Sequence, residues 1–424
     1  MFNLSKSSAT YGSRMLKDST SGVAIQDGDL LWAFDDNQEV QCFFQYSPVL
    51  GKELVFKIDT IQPFIISLNN HVFSAQLEDS DSWKWIKKTT SETLSGLHSI
   101  FLSLPLADDQ MAILSGLGQK KSDINLSIDA KSEAKQVEKI LSMFQPEWMD
   151  LSVDTSFMIS DSLLYNLRNT NMLVMSIDSG SEENINQFSK LKNLQNLVLL
   201  KWGPETRAGI DFTKFKALSS LSLQESDLRS TRNIRLPVNI RSLFFKGCNS
   251  LTDISNVATN TKLTTLGFSG CEKLKEISAI KGMKNLTWLS LPPSINQSQF
   301  DSLIPSLPSL QVLELIHCDS LKNIDAVKSL KELRSITLAD KNIDISSLYT
   351  LKNLELLVIG TSSDSDSTAN KQMQQLKAQL PKTFIVPGGG FCLGSGWILL
   401  IIPMVLLGIF LSKRIRQTPK GLNS

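Results

Sequence analysis

Catalysis and metal binding need His, Cys, Asp or Glu brought close together, and in this chain the first two are rare. The chain has three histidines, His71, His98 and His317, and five cysteines. None of the histidines stands at a metal-ligand spacing from a cysteine or an acidic residue. Cys42 with His71 or His98 is the one pairing that could form a nucleophile and base. Cys42 sits inside the apolar run VQCFFQY, and nothing in the flanks of the histidines supports that role. Cys248, Cys271 and Cys318 invite a zinc or disulfide reading. They recur at one position of a longer pattern, where a small buried thiol can satisfy turn amides; a Cys248–Cys271 bridge is conceivable and unneeded. No phosphate-cradling loop is present, because Gly388, Gly389 and Gly390 precede an apolar helix rather than the helix of a βαβ unit. The Asn-x-Ser/Thr sites at Asn3, Asn125, Asn285 and Asn296 are weak signals. No catalysis, metal or small-molecule cofactor is expected. An enzyme would need a catalytic domain, and only residues 1–96 are left over for one.

The composition agrees with that emptiness. The 424 residues carry 43 Lys+Arg against 42 Asp+Glu, a net charge of +1, with 42% apolar residues. Such a balance is ordinary for a globular protein and argues against an electrostatic nucleic-acid binder. The scattered cysteines do not make a disulfide-dense secreted scaffold.

What organises the chain is a period of 21–26 residues. The pattern LxxLxL begins at Leu194, Leu218, Ile240, Leu263, Leu286, Leu310, Leu333 and Leu354, with steps of 24, 22, 23, 23, 24, 23 and 21 residues. Three units extend to Cys248-xx-Leu251-xx-Ile254, Cys271-xx-Leu274-xx-Ile277 and Cys318-xx-Leu321-xx-Ile324. Weaker units start at Leu97, Asp123, Trp148 and Met172. This pattern resembles the leucine-rich repeat family, although the usual Asn of the turn is missing and several units lack even the Cys. The resemblance implies an α/β repeat solenoid, a horseshoe with one short strand per unit, that binds other proteins. About ten units stacked some 4.8 Å apart give a slab on the order of 45–50 Å long.

In LxxLxL the x residues face away from the core, so the concave surface can be read directly. Most are small or hydroxylic. Arg241, Phe244, Trp288, Glu314 and Arg334 stand out as candidate protein-binding residues, since interface anchors favour Trp, Arg and other large side chains. On this assignment Trp288→Ala is expected to cost folding far less than Leu266→Ala or Leu289→Ala.

The ends differ from the middle. Residues 1–22 are Ser/Thr/Lys-rich, which predicts disorder. Residues 23–96 predict a small β-rich N-terminal module, with runs such as LLWAF, ELVFKI and HVFSAQL and a helix over Ser82–Leu97. It caps the repeats of residues 97–368, which are clearest over 194–360, or alternatively presents a ligand-binding site of its own on a repeat stalk. Residues 369–390 predict a C-terminal cap, with an amphipathic helix in KQMQQLKAQL and an edge strand over Thr383–Val386, followed by a Gly-rich linker.

Residues 391–411 contain no charge and, as a helix of roughly 31 Å, match a bilayer's hydrocarbon thickness. The span is followed by a basic tail, residues 412–424, with Lys413, Arg414, Arg416 and Lys420. The positive-inside bias places that tail in the cytoplasm and the repeats on the extracytoplasmic side. Gly388, Gly389, Gly390 and Cys392, followed by the span and tail, are similar to the tripartite C-terminal sorting signals of bacterial surface proteins, which implies a bacterial source; a plain linker and anchor is the simpler alternative. The first 18 residues show no signal peptide. Either the chain lacks its true N-terminus, or it is a tail-anchored cytosolic adaptor. The expected protein is a single-pass membrane leucine-rich repeat protein with a protein partner and no nucleic acid.

Overall fold

The computed structural model describes residues 13–18, 22–27, 30–34, 40–45, 55–58, 65–68, 71–77, 80–88, 97, 99–120, 124–154, 156–177, 182–202, 211–339, 343–360 and 374–387. Seven strands come first: β1 (Ser13–Asp18), β2 (Gly22–Asp27), β3 (Leu30–Phe34), β4 (Val40–Gln45), β5 (Val55–Ile58), β6 (Ile65–Leu68) and β7 (His71–Leu77). They pair antiparallel in chain order as a meander. β1 falls within the segment whose composition predicts disorder; pairing with β2 gives its backbone groups partners.

From β7 onward every pairing is parallel. The strands are β8 (Ser99–Ser103), β9 (Asn125–Lys131), β10 (Trp148–Val153), β11 (Met172–Ile177), β12 (Asn196–Leu200) and β13 (Ser220–Gln224). They continue with β14 (Ser242–Lys246), β15 (Thr265–Gly267), β16 (Trp288–Ser290), β17 (Val312–Leu315), β18 (Ser335–Leu338), β19 (Leu356–Ile359) and β20 (Phe384–Pro387). Fourteen strands form this parallel part, each hydrogen-bonded to the next unit's strand.

The register is that of the sequence repeat. The second leucine of each unit pairs with that of the next, from Leu197 through Leu221, Leu243, Leu266, Leu289, Leu313 and Ile336 to Leu357. All are buried in one continuous core. Because side chains alternate along a strand, an in-phase ladder puts every such residue on one face. The weaker units at Leu97 and Asp123 keep the phase, with Ile100 pairing to Leu126 and Leu126 to Met149.

The units read from Trp148 and Met172 are two residues out of phase. Met149 and Leu173 take the inward place of Leu197, while Trp148 and Met172 pair along the opposite face with Asn196. The cause is local. Thr170 and Pro146 occupy the first inward position in these units, so no leucine marks it. The buried Thr170 hydroxyl donates to the Pro146 carbonyl at 2.8 Å, which lets a polar residue sit there.

Behind the strands the chain returns through helices in the early units, Asp108–Lys120, Ala134–Met143, Asp161–Asn166 and Glu182–Gln187. Later units use mostly 3₁₀ turns such as Val257–Thr259 and Ser278–Ile280, because the Cys-xx-Leu-xx-Ile run takes up residues that a helix would use. In that run the thiols serve the preceding unit's carbonyls: Cys248 donates to Leu223 at 3.4 Å, Cys271 to Phe245 at 3.3 Å and Cys318 to Pro292 at 3.7 Å. The Cys248 thiol beside it, together with burial, holds Cys271 above the ordinary thiol range, so it stays protonated.

Five strands end in a sharp turn four residues after the central leucine. Lys201, Glu225, Gly247, Gly270 and His317 all adopt positive φ there. His317 is thus a turn residue. Residues 374–379 are helical, Leu376 and Leu380 are buried, and β20 pairs with β19.

Residues 391–411, with Gly388, Gly389, Gly390 and Cys392, lie outside the described residues. Among those described, no helix is long and apolar enough to cross a membrane.

Since each central leucine packs between two neighbouring units, truncation opens a cavity that neither can close. Leu266→Ala or Leu289→Ala is expected to cost about 2–5 kcal/mol in urea unfolding.

Candidate functional site: the concave sheet face

The face opposite the core carries two side chains per strand, set by alternation. Along β14 to β17 one row reads Ser242, Thr265, Trp288, Val312 and the other Phe244, Gly267, Ser290, Glu314. Phe244, Trp288 and Val312 form an apolar cluster separate from the main core. The Phe244 and Trp288 rings meet edge to face, with centroids 5.4 Å apart and planes at 63°. Such pairs contribute about 0.5–1.5 kcal/mol beyond burial.

Gly267 makes that meeting possible. The two aromatics come from strands two units apart, and β15 lies between them. A Cβ at Gly267 would stand 2.9 Å from Phe244 Cδ1 and 3.1 Å from Trp288 Cζ3. No methyl group fits at that separation without moving a ring.

Of the five residues singled out from the sequence, the structure brings Phe244 and Trp288 together. They lie on the face assigned to them, but they are not solvated: Phe244 is 3% exposed, Trp288 5% and Glu314 5%. The expectation that Trp288→Ala costs folding far less than Leu266→Ala or Leu289→Ala assumed a solvated indole, and the burial of Trp288 corrects it. Arg241 and Arg334 precede the strands and are exposed. Arg334 Nη1 lies 3.1 Å from Glu355 Oε1, in a solvated pair of the kind that contributes little to stability.

The misphased units hid a second apolar cluster. Trp148, Met172, Val174, Val198 and Leu200 pack together on the same face over β10 to β12. Beside Trp148 in the chain stands Asp150, buried, its carboxylate accepting from Ser127 Oγ at 3.0 Å. Burial pushes the Asp150 carboxyl up to about 7, against the lowering effect of the Ser127 hydrogen bond. The sequence signal for this acid was its even spacing from Trp148 and Ser152 on one strand, which becomes legible only once the phase is corrected.

Several polar atoms on this face are buried without a hydrogen-bond partner: Trp148 Nε1, Trp288 Nε1, Ser242 Oγ and Thr337 Oγ1. Each unmet group of this kind costs about 1–3 kcal/mol. On the outer side, a shallow cleft of about 490 Å³ holds Tyr165, Arg168 and Lys190. Two of its cations are already engaged, Arg168 over the Tyr165 ring at 4.3 Å and Lys190 with Asp161 at 2.8 Å, and Lys192 also lines it.

The residues considered for chemistry fall apart in space or serve structure. Cys42 lies on β4 and His71 on β7, while His98 is outside the described residues. Among the described residues no group of three His, Cys, Asp or Glu could hold a metal ion. Asn125 accepts from the Trp148 amide at 3.1 Å, and Asn285 donates to the Thr261 carbonyl at 2.9 Å. Asn296 caps the helix Gln297–Leu303 through a capping box. Asn3 is outside the described residues.

In-phase LxxLxL units, one parallel strand per unit and thiol-tied turns define a leucine-rich-repeat type of solenoid. No family profile matches the chain, and no curated protein does. Among solved structures it is similar to an internalin (InlF) of Listeria monocytogenes, at 17% identity and a TM-score of 0.40, covering 73% of this chain and 94% of that one. It is similar to an LRR protein of Leptospira interrogans at 16% identity and a TM-score of 0.37, covering 72% and 93%. A third is TLR13 in a complex with ssRNA13, at 16% identity and a TM-score of 0.39, covering 75% of this chain; the chain spans 54% of the TLR13 chain.

Two outcomes follow for the face. Trp288→Ala should destabilise by about 3–5 kcal/mol, as buried aromatic truncations do. Gly267→Ala should cost roughly 1–3 kcal/mol by overpacking the rings. Both are read from urea midpoints.

Asp150 gives a pH dependence. The folded protein holds its proton up to about pH 7, whereas an unperturbed carboxyl releases it near 3.8. Between those values the folded state binds more protons, so stability falls as pH rises through that window. The loss is on the order of 4 kcal/mol. Asp150→Asn should match the wild type near pH 4 and exceed it at pH 8; parallel Tm–pH curves would contradict this.

Proposed function

We infer that the protein is a non-catalytic, membrane-anchored leucine-rich repeat protein that binds another protein through its concave sheet. The Phe244–Trp288–Val312 cluster carries this reading: a large, nearly dry aromatic anchor on the face that the core does not use. Arg241 and Arg334 stand at its rim. Aromatic centres with arginine at the margin are what protein interfaces use as hot spots. Once the face is uncovered, the unpartnered Trp288 Nε1 and Ser242 Oγ supply donors for a partner's backbone.

Residues 391–411 act as the span and residues 412–424 as a cytoplasmic tail, on the strength of apolar length and flanking cations. The solenoid then stands on the extracytoplasmic side. The N-terminal strands serve as its cap.

Two measurements test this. Protease shaving of intact cells should remove the solenoid and leave a short basic stub in the membrane. A solenoid that resists shaving and fractionates with cytosolic-face markers would make the protein a tail-anchored adaptor instead. After cross-linking in cells, Arg241→Glu with Arg334→Glu should lower partner recovery about tenfold, a loss of some 1.4 kcal/mol. The outer-face control Lys192→Glu with Lys284→Glu should leave it unchanged. Equal recovery from both variants would move the binding site off the concave face.

A further inference from the structure

The concave face is dry, and neighbouring side chains on a sheet cannot make it so. They flank one another at the spacing of the strands, but their outer ends point away from the sheet. Leu356 and Val358 on β19 are 0% and 1% exposed. Something must lie across them.

β1 is the element in the right place. It lies alongside β17, β18 and β19. No ladder pairing joins it to any of them, since its strand partner is β2. Both edges of each of these three strands are already taken by sheet neighbours. β1 can therefore approach only from above or below the sheet. Below lies the filled leucine core, with Leu313, Ile336 and Leu357 fully buried. That leaves the concave face. The chemistry is complementary: β1 is the segment SRMLKD, with two cations around an apolar pair. The face below offers Val312, Leu356 and Val358 together with the buried carboxylate of Glu314.

We propose that β1 is a resident intramolecular ligand of the concave face over β17 to β19, and that a protein partner reaches this part of the face only by displacing it. The second half rests on the concave-face binding proposed above; the first half stands without it.

The test uses the full chain. A photo-crosslinking benzoyl-phenylalanine is placed at Leu16, and adducts are mapped by mass spectrometry. Adducts within residues 312–359 are expected. Adducts confined elsewhere, or none, overturn the proposal. In parallel, hydroxyl-radical labelling compares the wild type with Met15→Asp plus Leu16→Asp. Leu356 and Leu357 are adjacent but face opposite ways, which gives an internal control. Displacement of β1 should raise labelling of Leu356 several-fold and leave Leu357 unchanged. Leu356 strongly labelled already in the wild type, or still protected in the variant, overturns the proposal. If both leucines become labelled the variant has unfolded, and the adduct map decides. Neither readout involves a partner, so a failed binding experiment does not bear on this result.

Discussion

No single unit of this chain can bury its own apolar side. A strand of three to seven residues has two faces, and its leucines stay wet unless another strand stands beside it with its leucines at the same height. The whole architecture depends on that in-phase contact. It fixes the parallel direction, because each chain segment must return behind the sheet before it pairs. It fixes the register, because a one-residue slip would carry Leu266 or Leu289 to the opposite face. It also makes stability a sum of neighbour contacts, so a fault in one unit is felt mainly by the units on either side.

The same constraint frees the other face. Once the leucine rows hold the stack, the alternate positions can be filled with residues the core would not accept. Gly267 would be a weak strand residue in most settings, yet here its missing side chain is what lets Phe244 and Trp288 touch across two units. Asp150 is a poor core residue at neutral pH, tolerated because the Ser127 hydroxyl meets one of its oxygens. Unpartnered indole and hydroxyl groups add to the cost. A face that spends stability in this way is shaped by something other than folding.

Much of this was legible in the sequence, and the exceptions have definite causes. The eight units from Leu194 to Leu354 were readable because large apolar residues occupy every inward position, so the period could not be mistaken. The units at Trp148 and Met172 were misread because Pro146 and Thr170 fill the inward place that leucine usually marks. That slip sent Trp148 into the core on paper and hid both its cluster and Asp150. The outward assignment of Phe244 and Trp288 followed from alternation alone. Their burial did not, because exposure depends on what lies over a face, and no local pattern records that. His317 was readable as a rare residue but not as a turn, since a left-handed backbone favours glycine and leaves little trace when another residue occupies it.

The apolar content of the concave face raises a physical question that β1, on the reading proposed above, answers over β17 to β19. Trp148, Met172, Val174, Val198, Leu200, Phe244, Trp288, Val312, Leu356 and Val358 would together form a long apolar stripe if they were open to water. Stripes of that kind drive association with whatever is nearby. A solenoid cannot remove them by curling more tightly, because its curvature is set by the packing behind the strands. It can lay part of its own chain across them. The meander that begins at β1 joins the sheet at β7 and β8, at one end of the stack, while β1 returns to β17–β19 near the other. A cover attached at one end and held at the other by noncovalent contacts can be exchanged for a partner without disturbing the leucine ladder beneath. On the proposed reading this part of the face can be strongly apolar, as a tight interface requires, and stay dry until a partner displaces β1.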